Sequence, residues 1–165
     1  MSENAHRETK MVTTPSQKKT IVNRSAPAST VVPVLIYEDV SEAIAWLHEA
    51  FGFRERLRAG PGGRVTHAQL SVGDGDVMIG ASGAGFRPPR PNEVNQYVIV
   101  RAEDVDLHFE QAKRFGVRIV QPPANMPFGE RVYTVDDLAG HRWTFSQSIA
   151  DVALEQWGAM PARQK

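Results

Sequence analysis

VLIYEDVSEAIAWLHEAFGF at residues 34–53 returns in altered form as VIVRAEDVDLHFEQAKRFGV at residues 98–117. Glu38-Asp39-Val40 recurs as Glu103-Asp104-Val105, an offset of 65 residues, and Phe51-Gly52-Phe53 recurs as Phe115-Gly116-Val117, an offset of 64. Two independent landmarks that agree on one period within a residue mark an internal duplication. Two copies are too few for a solenoid, so the expected solution is a pseudo-twofold pair of modules packed together.

Outward from these landmarks, each copy spells the same order of elements. Val31 to Tyr37 is an apolar run that reads as a strand, with Pro33 favouring an edge or a strand start. Ser41 is placed to cap a helix, Glu42 suits the positive end of its dipole, Ile44, Leu47 and Phe51 recur at helical spacing, and Gly52 stops it. Three further strands follow at Phe53 to Ala59, Val65 to Val72 and Val77 to Gly80, separated by glycine-rich turns. The second copy places strands at Gln96 to Arg101, Val117 to Val120, Gly129 to Val135 and Arg142 to Gln147, with a helix over Asp104 to Phe115. The order is βαβββ twice, an α+β fold class. Module one spans 31–80, a linker rich in Gly and Pro spans 81–94, and module two spans 95–148. Residues 1–30 read as a disordered polar tail, and Ile149, Val152, Ala153 and Trp157 suggest a short helix within 149–165.

Composition narrows the function classes. The 165 residues suit one domain, and 41% hydrophobic with 23% charged residues is an ordinary globular balance. The absence of cysteine removes zinc ribbons, iron–sulfur clusters and thiol redox chemistry, and fits a cytoplasmic protein. No run is long and apolar enough for a membrane span. Residues 1–30 carry five Lys/Arg against two Asp/Glu, which leaves 14 against 17 in the folded part, so the basic stripe of a nucleic-acid binder is missing. The serine-hydrolase elbow, the phosphate-binding glycine loop and the HExxH zinc motif are also absent.

The tandem module, the strand–EDV–helix–FGF opening and the closing run GERVYTVDDLAGHRWTFSQ at 129–147 resemble the vicinal-oxygen-chelate superfamily of glyoxalases, bleomycin-resistance proteins and dioxygenases. The closing run is similar to the glyoxalase-like branch named after a phosphonate-operon component. The resemblance covers about Val31 to Gln147. It implies that the modules curl a mixed sheet into a cup with helices outside and a small molecule in the middle, and that the protein forms a homodimer, sometimes by exchange of modules.

In metal-using relatives the resemblance implies ligands at four strand positions, which fall here on Val32, Gln69, Gln96 and Thr144. Two neutral amides, a hydroxyl and a valine form a poor donor set, so the expectation is a cup with no metal and no other cofactor. His67 is the nearby group that could alter this, as a ligand together with Gln69 and Gln96, or as a catalytic base; it equally reads as a half-exposed strand histidine. Strand alternation puts His67 and Gln69 on one face of their strand and Leu70 and Val72 on the other. Thr144 and Arg142 likewise share a face opposite Trp143 and Phe145. Arg142 and Arg131 each read either as a clamp for a carboxylate or phosphate or as a surface ion pair. His141 reads as a structural bond to its turn, and Asp136-Asp137 as turn formers. Trp46, Phe86, Met126 and Phe128 are candidates to line or lid the cup, with core packing as the other use of each.

The expected ligand-binding set is Val32, Val34, His67, Gln69, Gln96, Val98, Arg142 and Thr144. The expected function is capture of a small, partly apolar compound. The alternatives are a metal-dependent lyase, isomerase or dioxygenase of glyoxalase type, a metal-free lyase using His67, and a domain serving mainly in assembly. No nucleic acid or membrane partner is expected.

Overall fold

The computed structural model describes residues 21–83 and 85–162. The expectation of disorder for residues 1–20 lies outside the described residues. In each copy an aspartate starts the helix. Asp39 is extended and its Oδ1 accepts the Glu42 amide at 3.0 Å, so α1 runs from Val40 to Phe51. Asp104 does the same for the Leu107 amide at 2.9 Å, so α2 runs from Val105 to Phe115. Ser41, the expected cap, sits inside the first turn of α1, because the carboxylate two residues earlier already holds the free amide. Both helices end at a left-handed glycine, Gly52 at φ 75° and Gly116 at φ 88°, a conformation that costs a side chain about 1 kcal/mol or more.

Module one comprises β1 (Val34–Tyr37), α1, β2 (Arg54–Ala59), β3 (His67–Val72) and β4 (Gly75–Ala81). Module two comprises β5 (Tyr97–Arg101), α2, β6 (Arg118–Asn125), β7 (Glu130–Asp136) and β8 (Arg142–Ser148). Each forms a four-stranded mixed sheet, ordered β1-β4-β3-β2 and β5-β8-β7-β6. The first strand of each module pairs in parallel with the last, and the other pairings are antiparallel. β1 and β5 are therefore edge strands.

One face of each sheet packs on the helices. Leu35, Tyr37, Ala68, Leu70 and Ile79 supply it in module one, and Tyr133, Val135, Trp143 and Phe145 in module two, all buried. The two halves share a single core. The Phe51 ring lies 5.9 Å from Trp143 and 4.9 Å from Phe145, and Trp46 meets Phe115 at 5.6 Å. Half-buried His108 of α2 spans the junction. Its Nε2 donates to the Phe51 carbonyl at 3.1 Å, which leaves Nδ1 to accept from the Tyr133 hydroxyl. Burial holds the His108 pKa below its ordinary value, with the Phe51 bond pulling the other way.

The faces turned away from the helices form the open side of each sheet, although Gln69, Thr144 and Ser146 are buried there. On β5 the alternation is plain: Tyr97 and Ile99 are 58% and 55% exposed, while Val98 and Val100 pack toward the core. Two segments differ from expectation. β6 continues through Pro122 and Pro123, expected as loop, because it is an edge strand whose register shifts there, so the missing amides remove no inner ladder bond. The C-terminal segment forms only a 3-10 turn at Leu154–Trp157, placing Trp157 5.6 Å from Phe128.

Candidate functional site

The turn between β7 and β8 fastens the modules to each other. Asp137 is 6% exposed and receives four donors. Its Oδ1 accepts the amides of Ala139 and His141, both at 2.9 Å, which makes the turn. Its Oδ2 accepts the Trp143 indole at 3.0 Å and, from the other module, the Tyr37 hydroxyl at 2.6 Å. Burial and the adjacent Asp137 charge push the Tyr37 pKa well up, so the hydroxyl keeps its proton. His141 adds a second cross-module bond, its Nε2 donating to the Ile36 carbonyl at 2.7 Å, with its ring 4.9 Å from that of Tyr37. The turn-forming role expected of Asp137 is present, and it is joined by a buried acceptor role that the sequence did not signal.

This fastening sets β1 near the start of β5 and leaves a cleft of about 720 Å³ between them. Pro33 and Val34 of the first module, Gln96, Tyr97 and Arg142 of the second, and Phe86 of the linker line it. A second cavity of about 500 Å³, bordered by Arg90, Arg118 and Asp136, shares Pro89, Val94 and Arg142 with the first. Arg142 binds Asp136 through two bonds, Nε to Oδ1 at 2.9 Å and Nη2 to Oδ2 at 3.2 Å. Asp136 is 3% exposed and has Arg118 on its other side at 3.4 Å. Of the two readings of Arg142, the ion pair is present. Arg131 pairs with Asp106 of α2.

The expected site residues fall into four groups. Val34, Gln96, Val98 and Arg142 border the cleft. His67 and Gln69 lie on the open face of β3, where their strand neighbours Ala68 and Leu70 are buried against the helices. Thr144 lies on the open face of β8, its hydroxyl 3.0 Å from that of Thr134. Val32 lies two residues before the start of β1 and is half-buried.

Two placements are corrected. The helix caps at Asp39 and Asp104 set the offset of the first strands at 65, so the counterpart of Val32 is Tyr97 and not Gln96. By the same offset the counterpart of Val34 is Ile99, and Val98 packs against the core although it borders the cleft. Tyr97 and Ile99 were legible from strand alternation and the 65-residue offset. Arg56 was not: its pairing with Gln69 requires a bulge in β2 between Glu55 and Leu57.

The donor groups do not fit a metal. Gln69 is 3% exposed and fully engaged, its Oε1 by Arg56 and its Nε2 by the Ser25 carbonyl at 2.9 Å. A guanidinium against the amide oxygen repels a cation at the atom that would bind it. Val32 has no donor, and Tyr97 offers a single phenol oxygen in place of a carboxylate or imidazole. Among the described residues no three His, Asp, Glu or Cys side chains converge.

The profile of the Glyoxalase/Bleomycin resistance protein/Dioxygenase superfamily matches residues 29–145. The chain belongs to this superfamily. An uncharacterized protein of Mycobacterium bovis is 27% identical over 139 residues, covering 80% of this chain and 91% of its own length. Among solved structures, TioX from Micromonospora sp. ML1 is 38% identical, spans 73% of this chain and 99% of its own, and superposes with a TM-score of 0.63. The bleomycin resistance determinant encoded on transposon Tn5 shares the fold at 20% identity and a TM-score of 0.57, covering 73% of this chain and 98% of its own. The matched span takes in both modules of this superfamily member, including Val32, Gln69, Tyr97 and Thr144.

Proposed function

We propose that this superfamily member binds a small, partly apolar compound in the cup formed by the open sheet faces, without a metal, and does so as a homodimer. The observation that carries the reading is the donor chemistry at the superfamily's ligand positions: a valine, an amide held by a guanidinium, a tyrosine and a hydroxyl bound to another hydroxyl. Of these residues Tyr97 lines the cleft between β1 and β5, and Gln69 and Thr144 lie on sheet faces outside its lining. The cleft combines apolar walls with a few oriented polar groups, the usual make-up of a small-molecule site.

The homodimer reading rests on Val34, Tyr97 and Ile99, whose apolar side chains are more than half exposed on edge strands β1 and β5. A second copy would cover them and enclose the cup. The closing run at 129–147 supports placement in the phosphonate-operon-named branch. Localisation in the cytoplasm is part of the same proposal, supported by the cysteine-free composition.

The test is a thermal-shift screen of a natural-product and antibiotic library, with hits measured by titration calorimetry in the presence and absence of EDTA. The reading expects saturable binding that EDTA leaves unchanged and that Tyr97→Ala weakens about tenfold, or about 1.4 kcal/mol. Binding that vanishes with EDTA would favour the metal-dependent glyoxalase-type alternative.

A further inference from the structure

The segment just before β1 crosses the open face of module one. Three of its carbonyls act as acceptors there: Ser25 for Gln69 Nε2 at 2.9 Å, and Arg24 and Ala26 for Arg56 Nη2 at 2.6 and 3.0 Å. Arg56 also holds Gln69 Oε1, so the two side chains and the segment form one connected network. Farther along, Ser29 anchors the segment to the start of β4, its hydroxyl 2.9 Å from Asp76 Oδ2. Between these fastenings the segment roofs a cavity of about 740 Å³ over Arg56, Ser71 and the turn.

The network has a feature that packing alone does not require. The segment's own side chains contribute little: Arg24, Ser25 and Ala26 are exposed, and the contact is made by backbone oxygens. Gln69 and Arg56 are donors facing the sheet face on which the ligand is proposed to sit, and they are satisfied by amide carbonyls that a ligand could replace atom for atom. Exchange of one set of carbonyl acceptors for another leaves no buried donor unpaired, which keeps displacement inexpensive.

We propose that residues 23–29 are an intrasteric strap: they occupy the module-one half of the cup, and the ligand that displaces them is a carbonyl-rich, amide-bearing compound whose acceptor oxygens take over Gln69 and Arg56. This rests on the small-molecule reading above and adds to it both a ligand chemistry and a built-in competitor. Because the strap is tethered, it competes at an effective concentration of about millimolar, so it raises the ligand concentration needed for occupancy. Weakening an anchor lowers that threshold.

Two measurements on the full-length chain test it. The protein has no cysteine, so Ser25→Cys carries a single nitroxide label. Amide signals of Gln69, Ser71 and Met78 should be bleached by the label while those of β7 are spared, and Arg56→Ala should restore them. Unbleached β3 signals in the labelled protein would overturn the strap whatever the cup binds. Displacement is read with a synthetic N-acetylated, C-amidated peptide of residues 21–30 as the carbonyl-bearing probe. Ser29→Asp sets a second negative charge against Asp76 and frees the face. The peptide should bind Ser29→Asp at least tenfold more tightly than wild type, and Gln69→Ala added to that variant should abolish the gain. Equal binding to wild type and Ser29→Asp would overturn the competition. A seated strap together with a failed compound screen would overturn the small-molecule reading and leave the strap in place.

Discussion

At the scale of single residues, the account depends on buried polar groups that join the modules. Asp137 offers two oxygens to four donors. Asp137→Asn replaces one oxygen with an amino group, so a donor must face the Tyr37 hydroxyl and Trp143 indole or the two turn amides. The expected loss is about 2–4 kcal/mol of unfolding free energy, measured by urea denaturation, because an unmatched buried network loses more than one average hydrogen bond. Tyr37→Phe removes one of the four donors and should cost about 1–2 kcal/mol in the same experiment. His108 makes a pH prediction. Its folded-state pKa lies below its unfolded value, so the unfolded chain binds the extra proton first on acidification. Its contribution is fully present above the unfolded value of about 6.5 and is lost as the pH falls toward the folded value. Urea midpoints between neutral pH and pH 5 should therefore fall less steeply in His108→Gln than in wild type. Equal slopes would contradict the neutral, Nε2-protonated form.

At the scale of elements, the alternation on β5 separates two kinds of residue that look alike in sequence. Ile99→Asp should change the stability of the isolated fold by no more than about 0.5 kcal/mol, since the side chain is exposed in one chain, yet should shift a light-scattering mass from two chains to one. Val98→Asp places a charge against the core and should unfold the protein at temperatures where Ile99→Asp is native. The elements themselves were legible: the repeat, both αL glycines and the alternation in β5 all follow from local chemistry. What was misread lay where tertiary context decides. Asp39 displaced Ser41 as cap because either residue could donate an acceptor oxygen, and only the chain's entry angle chooses. β6 ran through two prolines because it lies at an edge, a fact of topology and not of the run itself. Gln96 was matched to Val32 in place of Tyr97 because the helices differ by one residue in length, which allows an offset of 64 or 65, while Gln96 and Val98 both border the cleft. The seating of residues 21–30 could not be read, since it is made by backbone carbonyls and carries no side-chain pattern.

At the scale of the whole molecule, the chain keeps the two-module superfamily fold, and the proposed metal-free cup rests on the side chains that face it. Arg56 against Gln69 is the clearest sign, since a guanidinium occupies the electrostatic place of a cation. The central claim is that the cup works without a metal. It is tested most directly by elemental mass spectrometry on tag-free protein purified without chelators, before and after incubation with Mn, Fe, Co, Ni and Zn followed by desalting. The account predicts bound metal near zero per chain under every condition. A value near one per chain for any of these ions, lost in Gln69→Ala, would contradict it.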